Sequence, residues 1–185
     1  PVGPTLGIND VVAQLRQLRN ASLQNRGRND RPPKLPSRKA LAAIVTGIAA
    51  ALFPNRLGQP DLTTEGIDHY VGHTLDVALR SLNEQVGREL LFHSELASLS
   101  ADDAARALEI TRGFGQSLPR VRELLDSDIL AAFQGDPAAR SIDEVLVCYP
   151  GIQAILHYRL ASLLYQQGAL LTARMMSELA HSETG

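Results

Sequence analysis

One run of the sequence limits the fold more than any other. From Thr63 or Thr64 onward, Ile67, Tyr70, Val71, Leu75, Ala78, Leu79, Leu82, Val86 and Leu90 recur with the period of an α-helix. Either threonine suits the cap. A helix of ~25 residues is roughly 40 Å long, and covering an apolar side of that length takes several neighbours or another subunit. Gly72 and Gly87 weaken it by roughly 1 kcal/mol each relative to alanine, and glycine there suits close helix approach.

Other helix signals fall on both sides. Ile8 to Leu23 can form a helix, with Asn9 or Asp10 as cap and Val11, Val12, Leu15 and Leu18 on one side. Ser37 can cap a second, whose apolar face is Leu41, Ile44, Val45, Ile48 and Leu52 and whose stop is Pro54. Ser100-Ala101-Asp102-Asp103 starts another, its acidic residues placed at the positive end of the helix dipole. Gly113 and Gly115 punctuate it. Ser117 with Pro119 is expected to open a further helix through Val121, Leu124 and Leu125, with Asp126 or Ser127 as a restart before Gly135. No window alternates with a period of two, and Val145-Leu146-Val147 is too short and too close to caps for a strand. The expected fold is all-α, with roughly seven or eight helices from the start and stop signals.

Composition agrees. Aromatic residues are only 4% of the chain and tryptophan is absent, which disfavours sheets. A formal charge of −2 gives no general pull toward nucleic acid or membrane. The single cysteine, Cys148, cannot form an internal disulfide, and a cytoplasmic, reducing compartment is expected. The N-terminus has no secretory signal pattern. The apolar run from Ala40 to Phe53 is shorter than the ~20 residues that span a bilayer and reads as a buried core helix.

Residues 1–36 are expected to form an N-terminal helix and a basic, proline-rich arm, and residues 37–185 a helical domain. The arm carries Arg26, Arg28, Arg31 and Lys34 among Pro32, Pro33 and Pro36, a density of proline that excludes a helix. It lacks the interleaved aromatics that stack on bases, so it reads as a solvated linker and no nucleic-acid partner is expected.

The C-terminal stretch, from Gly135 to Gly185, is dense in corners. Asp136 before Pro137 suits a helix N-cap with proline at the first helical position. Ser141 and Glu144 have the spacing of a capping box. Pro150 can open a helix carrying Ile152, Ile155, Leu156, Leu160, Leu163 and Leu164, with Gly168 placed to stop it. The Asp136-Pro137-Ala138-Ala139 corner, Tyr149-Pro150-Gly151, Tyr158-Arg159-Leu160-Ala161 and the ending Met176-Ser177-Glu178-Leu179-Ala180-His181-Ser182 together resemble the bacterial serine O-acetyltransferases.

That resemblance implies an all-helical N-terminal domain leading into a left-handed parallel β-helix of hexapeptide repeats, which would begin where this chain ends. It implies transfer of the acetyl group of the co-substrate acetyl-CoA to the hydroxyl of L-serine, giving O-acetylserine for cysteine synthesis. The implied general base is a His-Asp pair on the β-helix, with acetyl-CoA bound between β-helix subunits. This chain would then hold no catalytic residue and bind no cofactor, and would be inactive alone. The implied assembly is self-association through the helices, as a trimer or a dimer of trimers, with a cysteine synthase partner engaged through a C-terminus beyond this chain. The competing reading is a non-enzymatic helical interaction domain whose corners are capping chemistry alone.

Among individual residues, Glu65, His69, His73 and Asp76 lie near one helix face and could suit zinc, but no His-Glu-x-x-His motif or second ligand cluster accompanies them, and a polar helix face explains them. No metal site is expected. Cys148 reads as a buried apolar cysteine. His157 and Arg159 read as a structural polar edge; some members of the resembled family have histidine where Ser162 and Gln153 stand here. Asp136 is the one expected substrate-binding residue. The resemblance implies that it helps to hold serine, a task a carboxylate suits because it accepts hydrogen bonds from an ammonium or hydroxyl.

Overall fold

The computed structural model describes residues 7–25, 34–94 and 98–184, with side chains to residue 181. Among these residues there are eight helices and no strand. The chain divides into two compact units, Pro1–Lys34 and Leu35–Gly185.

The first unit contains α1 (Ile8–Asn25), which has no buried residue. Its expected apolar side is present but faces solvent: Ile8, Val11, Val12, Leu15 and Leu18 are all exposed. Asn9 and Asp10 lie inside the first turn rather than capping it. Gly7, at φ +61°, precedes the helix, and its carbonyl accepts from the Asp10 and Val11 amides at 3.2 and 3.3 Å. The expected arm falls largely on residues 26–33, outside the described residues.

The second unit holds α2 (Arg38–Leu52), the short α3 (Pro54–Leu57), α4 (Thr64–Ser94), α5 (Ala101–Gly135), α6 (Ile142–Cys148), α7 (Pro150–Gln166) and α8 (Leu170–Thr184). α2 packs on α4, α4 on α5, α5 on α7, and α7 forms a hairpin with α8. Leu41, Ile44 and Ile48 of α2, Leu82 and Val86 of α4, Phe114 and Leu125 of α5, Leu156, Leu160 and Leu164 of α7 and Met176 of α8 are all buried in one core. Each such side chain contributes about 1.5–3 kcal/mol by leaving water.

Three serine caps form as their spacing predicts. The hydroxyls of Ser37, Ser100 and Ser141 accept from the amides of Ala40, Asp103 and Glu144 at 3.3, 3.0 and 3.1 Å. Thr63 does the same for Gly66 at 3.1 Å. The expected capping box at Ser141 is displaced by one residue, because the Glu144 carboxylate takes the amide of Arg140, at 2.8 Å. α7 stops at Gly168, at φ +94°, a left-handed position that favours glycine. The Gly168 amide bonds Tyr165 and the Ala169 amide bonds Leu164, which is the Schellman pairing.

The largest departure from expectation is α5. It is one helix of 35 residues and runs straight through Gly113, Gly115, Ser117 and Pro119. An internal proline costs about 3 kcal/mol through its missing amide and its clash with the preceding turn. Against this stands an unbroken buried stripe, Ala107, Ile110, Thr111, Phe114, Leu118, Val121, Leu125 and Ile129. Breaking the helix near Pro119 would throw that stripe out of register, and several buried side chains at 1.5–3 kcal/mol each outweigh one proline. Pro119 itself is exposed, away from the stripe. The glycines serve packing: a Cβ at Gly115 would lie 3.2 Å from Leu79, and one at Gly113 would lie 2.9 Å from the side-chain amide of Gln167. Oriented to suit its neighbours, that amide donates to the Ile110 carbonyl and accepts from the Phe114 amide, joining the end of α7 to the middle of α5.

Two polar side chains of α4 sit in the core, one turn apart. The Gln85 carbonyl oxygen accepts from the Ser37 amide at 2.8 Å, at the start of α2. The Glu89 carboxylate accepts from the Leu171 and Thr172 amides, both at 2.8 Å, and from the Thr172 hydroxyl at 2.6 Å. The residue before α8 is Ala169, which has no side-chain acceptor. Glu89 therefore supplies from another helix the cap that the local sequence lacks.

Candidate substrate corner at Asp136

α5 ends at Gly135, and Asp136 turns out of it in extended backbone, φ −117° and ψ 104°. Pro137 does not open a helix. Residues 137 and 138 form a turn closed by the Ala139 amide on the Asp136 carbonyl, at 3.1 Å, and α6 starts only after Ser141. The expected helix cap at Asp136 is therefore an Asx turn, with the Ala138 amide donating to Asp136 Oδ1 at 2.9 Å. Proline produces this outcome by fixing its own φ for a turn position, while Ser141 is the stronger local cap.

The second carboxylate oxygen has a partner 13 residues away. The Tyr149 hydroxyl donates to Asp136 Oδ2 at 2.5 Å. Tyr149 is both the residue that caps the end of α6, its amide bonding the Val145 carbonyl, and the residue before Pro150 at the head of α7. Its backbone is extended, φ −87° and ψ 113°, as expected ahead of proline. The two hydrogen bonds, the tyrosine's first and the Ala138 amide's second, hold the Asp136 carboxyl below the usual aspartate range. The same contact pushes the Tyr149 phenol up to about 12, so it stays a donor at neutral pH. An ionised carboxylate has about four lone-pair sites, and only two are used here.

The other candidates fall elsewhere. Arg159 pairs with Asp128 of α5 in a two-point contact, 2.7 Å from Nε to Oδ2 and 2.8 Å from Nη2 to Oδ1, which fixes α7 against α5. His157 is buried and its Nδ1 lies 2.9 Å from the Gln153 carbonyl. Gln153 donates to the Leu146 carbonyl at 3.2 Å, tying α7 to α6. Cys148, expected to be buried, is exposed. Of the polar face on α4, Asp76 is held by Arg80 at 2.8 and 2.9 Å, and among the described residues no three histidine, cysteine or acidic side chains gather as metal ligands would. No helix among the described residues is long and apolar enough to cross a membrane.

Sequence reasoning missed Tyr149 and Glu89. A tyrosine directly before a helix-opening proline is a weak signal that its polar tip has a nearby partner. A glutamate in register with Leu82 and Val86 is a stronger one, because a charge on a core-facing stripe must find donors.

No protein-family model matches the chain. A serine acetyltransferase of Synechococcus elongatus, the form designated "plasmid", is 45% identical over 183 residues, which is 97% of this chain and 57% of that protein. The serine acetyltransferase of Mycobacterium tuberculosis is 48% identical over 58 residues, 31% of this chain and 25% of that protein. The crystal structure of Entamoeba histolytica serine acetyltransferase 1 in complex with L-cysteine superposes with a TM-score of 0.62 at 26% identity, covering 76% of this chain and 46% of the other. The chain thus spans little more than half the length of the Synechococcus relative. Over nearly all of its sequence, and in its helical fold, it is similar to the serine acetyltransferases.

Proposed function

We propose that this chain is the helical part of a serine O-acetyltransferase and that Asp136 forms one edge of the serine site. The whole protein would transfer the acetyl group of acetyl-CoA to L-serine, in the service of cysteine synthesis. The serine oxygen attacks the thioester carbonyl, the carbon–sulfur bond breaks, and the hydroxyl proton passes through a general base to the departing thiolate. The contribution of these residues would be binding and assembly. A carboxylate held in one orientation at a corner can take a hydrogen bond from the substrate ammonium or hydroxyl.

The carrying observation is the Asp136 carboxylate, anchored by Ala138 and Tyr149 with part of its accepting capacity unused. The exposed apolar side of α1 supports self-association of the longer protein, with residues 1–36 as an arm on the helical domain 37–185. A lone exposed cysteine suits a cytoplasmic enzyme.

The test is Asp136→Asn in the full-length enzyme. Asparagine forms the same Asx turn, so the fold is kept while the charge is lost. The expected outcome is a fall in kcat/KM for serine on the order of ten- to a hundredfold, with acetyl-CoA binding nearly unchanged. Unaltered serine kinetics would leave Asp136 as a turn residue only.

A further inference from the structure

We propose that Tyr149 is a positioning residue for substrate: its hydroxyl sets the rotation of the Asp136 carboxylate, so that the unused lone pairs face one direction. This rests on the reading of Asp136 as a serine ligand and adds a second residue to it.

An aspartate carboxylate can turn about its own bond. The terminal torsion of its side chain is broad, and a single hydrogen bond to one oxygen leaves the carboxylate free to rock. The Ala138 amide engages Oδ1 alone. A second donor on Oδ2, coming from a different element, fixes the plane, and Tyr149 is that donor. Tyr149 is itself rigid. Its amide bonds Val145 and its carbonyl accepts from Ile152 at 3.0 Å, so two helix ends hold its backbone. Pro150 restricts it further. The phenol therefore projects from a fixed base onto Asp136, which stands on an otherwise irregular connection between α5 and α6. Glu144 and Cys148, the other titratable groups near the phenol, both disfavour its ionisation, which keeps it a donor.

A tyrosine that only filled space would not discriminate between substrates. A tyrosine that orients the serine ligand does. Tyr149→Phe in the full-length enzyme removes one oxygen and keeps the ring. The expected result is a rise of several-fold to about tenfold in KM for serine, with kcat, KM for acetyl-CoA and the unfolding midpoint close to the parent values. In the Asp136→Asn background the same change should add little, because the two residues act as one unit.

The two readings fail differently. Loss of serine use in Asp136→Asn with no effect of Tyr149→Phe overturns the positioning role and leaves Asp136 as ligand. Losses that multiply across the pair overturn it as well. No effect of Asp136→Asn removes the site and this inference with it. A second measurement needs no tyrosine variant: in the 185-residue chain the Tyr149 phenol should titrate near 12 and return toward the ordinary range in Asp136→Asn. A Tyr149 phenol that titrates near 10 would show that the contact does not exist in solution.

Discussion

Two carboxylates in this molecule make similar bonds in opposite settings. Glu89 is 2% exposed and accepts from two backbone amides and a hydroxyl. Asp136 stands half-buried at a corner and accepts from one backbone amide and a hydroxyl. Glu89 is surrounded by protein donors and closes a helix end. Asp136 is anchored but keeps accepting capacity toward solvent. The difference separates a carboxylate that builds a fold from one that can serve a ligand: the first is dry and filled by the protein, the second fixed and unfilled.

The comparison breaks most readily at Glu89. Glu89→Ala leaves the Leu171 and Thr172 amides and the Thr172 hydroxyl without their acceptor in a buried place, and each such orphan costs about 1–3 kcal/mol. A loss of about 3 kcal/mol or more is expected in urea unfolding of the 185-residue chain. A change within experimental error would mean that α8 starts elsewhere in solution. Gln85→Met is the milder version. It keeps the shape and orphans only the Ser37 amide, so a loss of about 1–2 kcal/mol is expected by the same measurement.

At Asp136 the comparison sharpens through pH. The Tyr149 phenol has its folded value raised to about 12 from an ordinary 10.0. A raised value means that the contact's stabilisation is fully present below pH 10 and lost as pH climbs toward 12. The Asp136 value is lowered, so its share is present above the ordinary aspartate range and fades only on acidification below it. The parent should therefore be slightly more stable than Tyr149→Phe at neutral pH, and the gap should close in the window from 10 to 12. A gap that persists or widens there would assign the stabilisation to something other than this hydrogen bond.

The sequence carried much of this in readable form where the signal was local. The serines at 37, 100 and 141 act within three residues of themselves, and Gly168 within five. α5 departs from its local signals because Gly113, Gly115 and Pro119 are local breakers overruled by a buried stripe that runs from Ala107 to Ile129. Asp136 reads as a corner residue, but the sequence does not say whether it forms a helix cap or an Asx turn, since aspartate before proline serves either. Its tyrosine partner lies 13 residues away, and Glu89 lies 82 from Leu171, and no spacing rule reaches that far.

Gln85 and Glu89 have a mechanical consequence. One turn of α4 grips the heads of two helices whose first residues are Arg38 and Leu170. Neither helix can swing away without stripping an acceptor from the middle of α4. A helix that packs mainly on one hairpin partner would ordinarily be among the first parts of a bundle to open. Here α8 is latched at its head to the middle of α4, so its opening must also break the contacts of Glu89.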